Sequence, residues 1–388
     1  PSVDLVYFVA RFGPFCGVHW YPFNGENWYT LSYHLQKVDM KSKLIKKILA
    51  GLFIVLLLMV LTTTVVYHRA VYVVFKNITA GTVNLDDLLW TQGTSYEHVP
   101  YATDSSAQYL DLYIPDGADG EKPKLYVIIH GGGFITNDSQ CRQALLMYRY
   151  FRDHGYACAS VNYRLAQEAP FPAALSDCKA AIRFLRAHAD QYGYDADHIA
   201  VFGESAGGYL AVMCGVTDDT EFMDVEFLGQ DQAEEISAKV DVVVNYYGHI
   251  DHSGAEKDWA QLKIPRVIRN IYNGWIAEDD LLGYDGIDSF WFRKNISEMT
   301  PEEYAVGDPH HYIQKNDLTG LSMWIVHGDC DVTVPYLHSE RLAAKLREKL
   351  GEDAVSYHLI SGMGHASDPL YSDKLLGQLK NYLDETLQ

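Results

Sequence analysis

The pentapeptide Gly203-Glu204-Ser205-Ala206-Gly207 constrains this chain more than any other stretch, because it fits G-x-S-x-G and its flanks predict a strand before it and a helix after it. Asp197-His198-Ile199-Ala200-Val201-Phe202 reads as a short buried strand that follows a turn, and Tyr209-Leu210-Ala211-Val212-Met213 continues as a helix. A serine on such an elbow is lifted clear of its own backbone. Gly207 and Gly208 suit the same turn, since a strained strand-to-helix junction leaves no room for Cβ atoms where the helix starts beneath a sheet. A glycine-rich helix start without chemistry is the bland alternative, and the partner groups decide between the two.

A serine hydroxyl is a weak nucleophile at neutral pH, so it needs a general base, an orienting acid and donors for the oxyanion of a tetrahedral intermediate. Upstream, the apolar run Leu125-Tyr126-Val127-Ile128-Ile129 leads into His130-Gly131-Gly132-Gly133-Phe134, a strand followed by a loop whose glycines let backbone N–H groups turn toward a ligand. Downstream, Leu321-Ser322-Met323-Trp324-Ile325-Val326 predicts a buried strand that ends in His327-Gly328-Asp329-Cys330-Asp331-Val332-Thr333-Val334-Pro335. Its position at a strand's carboxyl end makes Asp329 and Asp331 both eligible as the acid, although Asp329 also suits a turn. Ala354-Val355-Ser356-Tyr357-His358-Leu359-Ile360 predicts a further strand. After it, Gly362-Met363-Gly364-His365 sets a histidine on a small-residue loop before a terminal helix from about Pro369 to Leu383.

The chain order is therefore Ser, Asp, His, which differs from the chymotrypsin and subtilisin orders. On the H-G-G-G-F motif at 130–134 and the G-x-S-A-G-G motif at 203–208, the chain from about Leu85 onward resembles an α/β-hydrolase of the hormone-sensitive-lipase-like carboxylesterase group. The resemblance implies an α/β-hydrolase fold: a mostly parallel central sheet flanked by helices, with an inserted lid. It also implies that the acid of H-G-x-x-D-x-x-V-P is Asp331, with Asp329 on a variable position. The oxyanion N–H groups fall on Gly132, Gly133 and Ala206, with Gly131 as a substitute. Asn162-Tyr163-Arg164-Leu165 and Phe171-Pro172-Ala173-Ala174-Leu175-Ser176-Asp177 match the group as well, and Arg164 and Asp177 read as structural. One departure is Glu204, where many bacterial relatives carry Asp.

The implied activity is that of a serine carboxylesterase on small or short-acyl esters, without a cofactor. Ser205 attacks the carbonyl, His365 takes its proton, Asp331 holds the imidazole tautomer, and water cleaves the acyl-enzyme. An amide-bond hydrolase of peptidase or arylformamidase type on the same fold is the alternative, and a non-catalytic binding relative is another.

A lid is expected over about 249–318, between the strand predicted over Val240–Tyr247 and the one near Leu321. Its aromatics Trp259, Trp275 and Trp291, with Phe290, Phe292 and Tyr304, and Phe134 from the glycine loop, are candidates to line a substrate pocket. His249, Asp251 and His252 have crude metal-ligand spacing, but no H-E-x-x-H and no cysteine pair supports them, so no metal is expected. His310 and His311 read as scaffold or pocket rim.

Lys plus Arg number 31 against 51 Asp plus Glu, a formal charge of −20, which argues against nucleic acid or polyanionic partners. No P-loop or dinucleotide fingerprint appears, and the 6 cysteines lack paired spacing. Lys41, Lys43, Lys46 and Lys47 precede an apolar run, Ile48–Val66, whose helical length of about 28 Å matches the hydrocarbon thickness. This predicts a signal anchor over 40–69, retained because no small-x-small site follows, with the hydrolase domain (85–388) at the extracellular face of a bacterial membrane or secreted. Residues 1–39 are aromatic-rich and without period, and Met40 opens the charged region. The expectation is that Met40 is the true start and that 1–39 are an upstream extension.

Overall fold

Strands that are buried on both faces read as unbroken apolar runs, and their side chains then alternate between two cores. That is what the chain does. In the strand Lys124–Ile129, Leu125, Val127 and Ile129 enter one core while Tyr126 and Ile128 enter the other. In Ser322–Gly328, Met323 and Ile325 face the first core, and Trp324 and Val326 face the second.

The computed structural model describes residues 51–55, 57, 93–116, 121–229, 236–253, 255–264 and 286–388. The chain divides into two units, Pro1–Val66 and Tyr67–Gln388. Of the first, residues 51–55 and 57 are helical, with Leu52, Phe53, Ile54, Val55 and Leu57 exposed. Among the described residues no helix is long and apolar enough to cross a membrane. Residues 1–39, the lysine cluster and most of the run 48–66 lie outside the described residues, as does Trp275.

In the second unit the elements follow as β1 (Thr94–Pro100), β2 (Tyr109–Ile114), β3 (Lys124–Ile129), α1 (Arg142–Asp153), β4 (Ala157–Val161), α2 (Ala173–Ala187), α3 (Ala189–Tyr192), β5 (Asp195–Glu204) and α4 (Ala206–Val216). β6 (Val242–Tyr246) precedes α5 (Ala255–Leu262), α6 (Ile287–Phe292), α7 (Pro301–Ala305) and α8 (Pro309–Lys315). β7 (Ser322–Gly328), α9 (Leu337–Leu350), β8 (Val355–Ile360) and α10 (Asp373–Thr386) complete it. The eight strands form one sheet in the order β1-β2-β4-β3-β5-β6-β7-β8, antiparallel across β1-β2 and β2-β4 and parallel from β4 to β8.

The core on one face packs α2, α4 and α9 against the sheet, and that on the other packs α1 and α10. α4 is apolar all round because the elbow drives it straight into the core, where ten of its residues are buried.

Three expected boundaries move. Glu352–Ala354 is a 3₁₀ turn, so β8 starts at Val355. Pro369 sits in a 3₁₀ turn over Asp368–Tyr371, and the terminal helix begins after it, at Asp373. The inserted segment is also less separate than a lid over 249–318 suggests. Tyr312, Ile313 and Leu318 join the main core, so its last part belongs to the scaffold, and Phe290 and Trp291 are buried in that core too.

Candidate active site

Register explains why distant motifs meet. Ile129 of β3 pairs with Gly203 of β5, Gly203 with Asn245 of β6, Asn245 with Ile325 of β7, and Val326 with His358 of β8. The loops after these five strands therefore leave the sheet at one edge, where parallel sheets present ligand-binding groups.

Ser205 sits on the elbow with φ 54° and ψ −120°, a left-sided conformation that costs a non-glycine residue about 1–3 kcal/mol. The glycines around it answer to space. A Cβ on Gly203 would lie 2.0 Å from the Gly207 carbonyl oxygen, and one on Gly207 would lie 2.2 Å from that of Ile129. The Ser205 hydroxyl is 3.0 Å from His365 Nε2, and His365 Nδ1 is 2.7 Å from Asp331 Oδ2. Ser205, His365 and Asp331 are thus brought together in one hydrogen-bonded line.

Asp331 is anchored on every side. Its Oδ1 accepts from the N–H groups of Thr333 and Val334, at 2.8 and 2.9 Å. Its Oδ2 also lies 3.2 Å from His327 Nε2, whose ring is fully buried and bonded through Nδ1 to Ser339 Oγ. Burial alone would raise this carboxyl's pKa, but the His365 charge and the hydrogen bonds from both histidines outweigh it and hold it well below the usual range. Asp329 has another job: its Oδ1 accepts from Gly362 N–H at 2.7 Å, which ties the β7 loop to the β8 loop.

Burial disfavours a charged His365, yet the charge and hydrogen bond of Asp331, with Glu204 behind them, leave its pKa raised from 6.5. Tyr247 packs edge-on against the His365 ring at 4.6 Å and shares a hydroxyl contact with Tyr371. These two tyrosines were not singled out from sequence, where they look like ordinary core aromatics.

Glu204 is buried, and its Oε1 accepts from Gly131 N–H at 2.8 Å. That bond corrects the reading of Gly131 as a substitute oxyanion donor, because its N–H is already engaged. The N–H groups of Gly132, Gly133 and Ala206 donate to no protein group among the described residues. Gly132 and Gly133 adopt φ of 113° and 61°, open to glycine at little cost. His130 plays a structural part. Its ring stacks on Tyr163 at 4.2 Å, and burial lowers its pKa to about 4, so it stays neutral under the loop.

The aromatic pocket residues are placed differently from expectation. Phe134 and Trp291 stack face to face at 3.8 Å and are 2% and 0% exposed, so they form a packed joint between the glycine loop and α6, with no surface to offer a substrate. Trp259 is buried in a small cluster with Ile264, Cys330 and Val332 behind the Asp331 loop. Half-buried Arg164 pairs with the fully buried Asp177 at 2.7 Å, and Gln108 donates to the same carboxylate, in keeping with a structural role. His310 is the second residue of α8, whose N-cap Asp308 bonds its N–H, and His311 follows it on the scaffold. Of the three residues with crude metal-ligand spacing, for which no metal was expected, Asp251 turns to Arg341 at 3.0 Å, and Asp288 of α6 stands beside His249 and His252 instead.

A family profile described as BD-FAE matches residues 110–346. Esterase LipC of Mycobacterium tuberculosis is 26% identical over 267 residues, 69% of this chain and 59% of its own length, so the chain spans little more than half of that relative. Mouse hormone-sensitive lipase is 39% identical over 88 residues, 23% of this chain and 12% of its own. A solved carbohydrate esterase from gut microbiota, in truncated form, superposes with a TM-score of 0.62 at 22% identity, covering 76% of this chain and 97% of that one. The sheet and these neighbours establish the α/β-hydrolase fold.

Proposed function

The chain belongs to the BD-FAE family, and from that membership we propose that it is a serine carboxylesterase of the hormone-sensitive-lipase-like group, acting on small or short-acyl carboxylic esters. The observation that carries the reading is the unbroken Ser205–His365–Asp331 line, with bonds of 3.0 and 2.7 Å. Ser205 Oγ attacks the ester carbonyl while His365 Nε2 takes its proton, and Asp331 keeps the Nδ1–H tautomer and supports the imidazolium. The N–H groups of Gly132, Gly133 and Ala206, unengaged among the described residues, receive the oxyanion. His365 then returns its proton to the leaving alkoxide, and water, activated by the same ring, releases the acid.

The preference for a short acyl group is supported by crowding at the glycine loop. Ile287 of α6 stands where a Cβ on Gly133 would be, at 2.6 Å, and the Phe134–Trp291 joint is closed beside it. Purified protein should hydrolyse p-nitrophenyl acetate and butyrate with kcat/KM roughly a hundredfold or more above the corresponding long-chain esters and aminoacyl-p-nitroanilides. Dominant anilide turnover would point to the amide-hydrolase reading. Failure of a fluorophosphonate to label Ser205 in folded protein would point to a non-catalytic relative.

On the sequence alone, the lysine-flanked run Ile48–Val66 is carried as a signal anchor that holds the hydrolase unit at the outer face of the membrane. Expressed in a bacterium, the full chain should resist carbonate extraction from membranes and be open to protease added outside. Recovery in the soluble fraction at full length would rule the anchor out.

A further inference from the structure

The loop after β6 and the first turn of α6 bring together three side chains that the hydrolytic line does not use. His249 Nε2 lies 2.8 Å from Asp288 Oδ2, and His252 Nδ1 lies 3.1 Å from Asp288 Oδ1. One ligand atom from each residue falls within 4.8 Å of the others. The first contact is a hydrogen bond, and the second is not. Among the described residues neither ring nitrogen of His252 has a hydrogen-bond partner, nor has Asp288 Oδ1, although the His252 side chain is 0% exposed.

Burying polar atoms without partners is unfavourable, and native interiors rarely tolerate it. Ion pairing of Asp288 with both histidines places His252 Nδ1 3.1 Å from a carboxylate oxygen without hydrogen-bond geometry and leaves His252 Nε2 with no partner among the described residues. A divalent cation accounts for all three together, because it accepts lone pairs from both imidazoles and from the carboxylate at once. Across a tetrahedral zinc with bonds near 2.0–2.1 Å two ligand atoms lie about 3.3 Å apart; the two imidazole contacts here, 2.8 and 3.1 Å, go to different oxygens of Asp288 and one atom from each residue falls within 4.8 Å of the others, so the ligands draw in around a bound ion. The donor set of two imidazoles and one carboxylate is that of late first-row divalent metals, not of calcium or magnesium.

We propose that His249, His252 and Asp288 form a binding site for one divalent transition-metal cation of the zinc class. The surroundings hold the ligands in place. Tyr209 and Phe292 meet the His252 ring edge-on at 4.9 and 5.4 Å. His249 and Asp288 keep 17% and 18% of their side chains exposed, which gives a cation an entry path and leaves a coordination position for solvent. The ion ties α6 to the loop after β6. Because α6 carries Ile287 and Trp291, against Gly133 and Phe134, the ion clamps the inserted helices onto the glycine loop.

The test uses the full chain, stripped with a chelator, dialysed and titrated with Co²⁺. The expected result is one Co²⁺ per chain, seen as visible d–d absorption of a low-symmetry site and displaced by Zn²⁺, with a thermal midpoint that rises on metal addition. Asp288→Asn and His252→Gln should each weaken Co²⁺ binding at least tenfold. His98→Ala, which removes an exposed histidine 3.6 Å from Asp111, should leave binding unchanged. No stoichiometric uptake by the unaltered chain, which needs no variant to fold, would overturn the proposal. So would binding that survives both substitutions.

Discussion

Replacing Ser205 by alanine is expected to lower kcat toward a short-acyl ester by about 10⁴ to 10⁶ and to leave KM and stability nearly unchanged. The size follows from what is removed: covalent catalysis goes, while binding and the oxyanion donors stay. Stability stays because alanine keeps the Cβ that strains the elbow at φ 54°, so the folded state neither gains nor loses that term. Ser205→Gly is the informative companion. It removes the same hydroxyl but relieves the left-sided conformation, so it should be equally inactive and more stable by about 1 kcal/mol. A folded alanine variant that kept more than a tenth of the wild-type rate would mean that another group attacks the ester.

Much of this site was legible in sequence because a parallel sheet writes itself as apolar runs. Leu125–Ile129, Ile199–Phe202 and Met323–Val326 are buried on both faces, and a functional loop follows each. The elbow was legible for a related reason, since Gly203 and Gly207 admit no side chain against backbone oxygens. What sequence position left open was the choice between Asp329 and Asp331. Both follow β7, and what separates them is a partner in the next loop: Gly362 N–H takes Asp329, and His365 takes Asp331.

Relations across the insertion were not legible at all. Asp288 meets His249 from 39 residues away, so local spacing showed only Asp251 beside the two histidines and gave no reason to expect a metal, and Asp251 turns to Arg341. The aromatic residues misled for a similar reason. Composition says that Phe134 and Trp291 are large and apolar, but their stacking on each other, which removes them from a pocket wall, depends on where α6 lies. The bond from Gly131 to Glu204 was hidden as well, because it depends on β3 and β5 ending level.

Asp331→Asn should cost on the order of 10⁴ in kcat, and Asp329→Asn far less, although the two residues share one loop. An asparagine at 331 can still accept from Thr333 and Val334 N–H through its carbonyl oxygen, so the loop keeps its shape. The amide nitrogen then occupies the place of Oδ2, facing His365 Nδ1 and His327 Nε2. Three donors cannot satisfy one another. His365 responds by giving up its Nδ1 proton and carrying it on Nε2, where it points at Ser205 and can no longer accept the hydroxyl proton. At Asp329 the same exchange disturbs a bond to Gly362 N–H, which an amide oxygen can also accept. The pH profile separates tautomer loss from misfolding. In the unaltered protein the Asp331 charge and hydrogen bond overcome burial and raise His365 above 6.5, so kcat/KM should fall as pH drops, with an acid inflection above that value. Without the Asp331 charge, burial dominates, and the inflection of the residual activity should move to lower pH. An unmoved inflection in a folded Asp331→Asn protein, or a greater loss from Asp329→Asn, would assign the acid to the wrong aspartate.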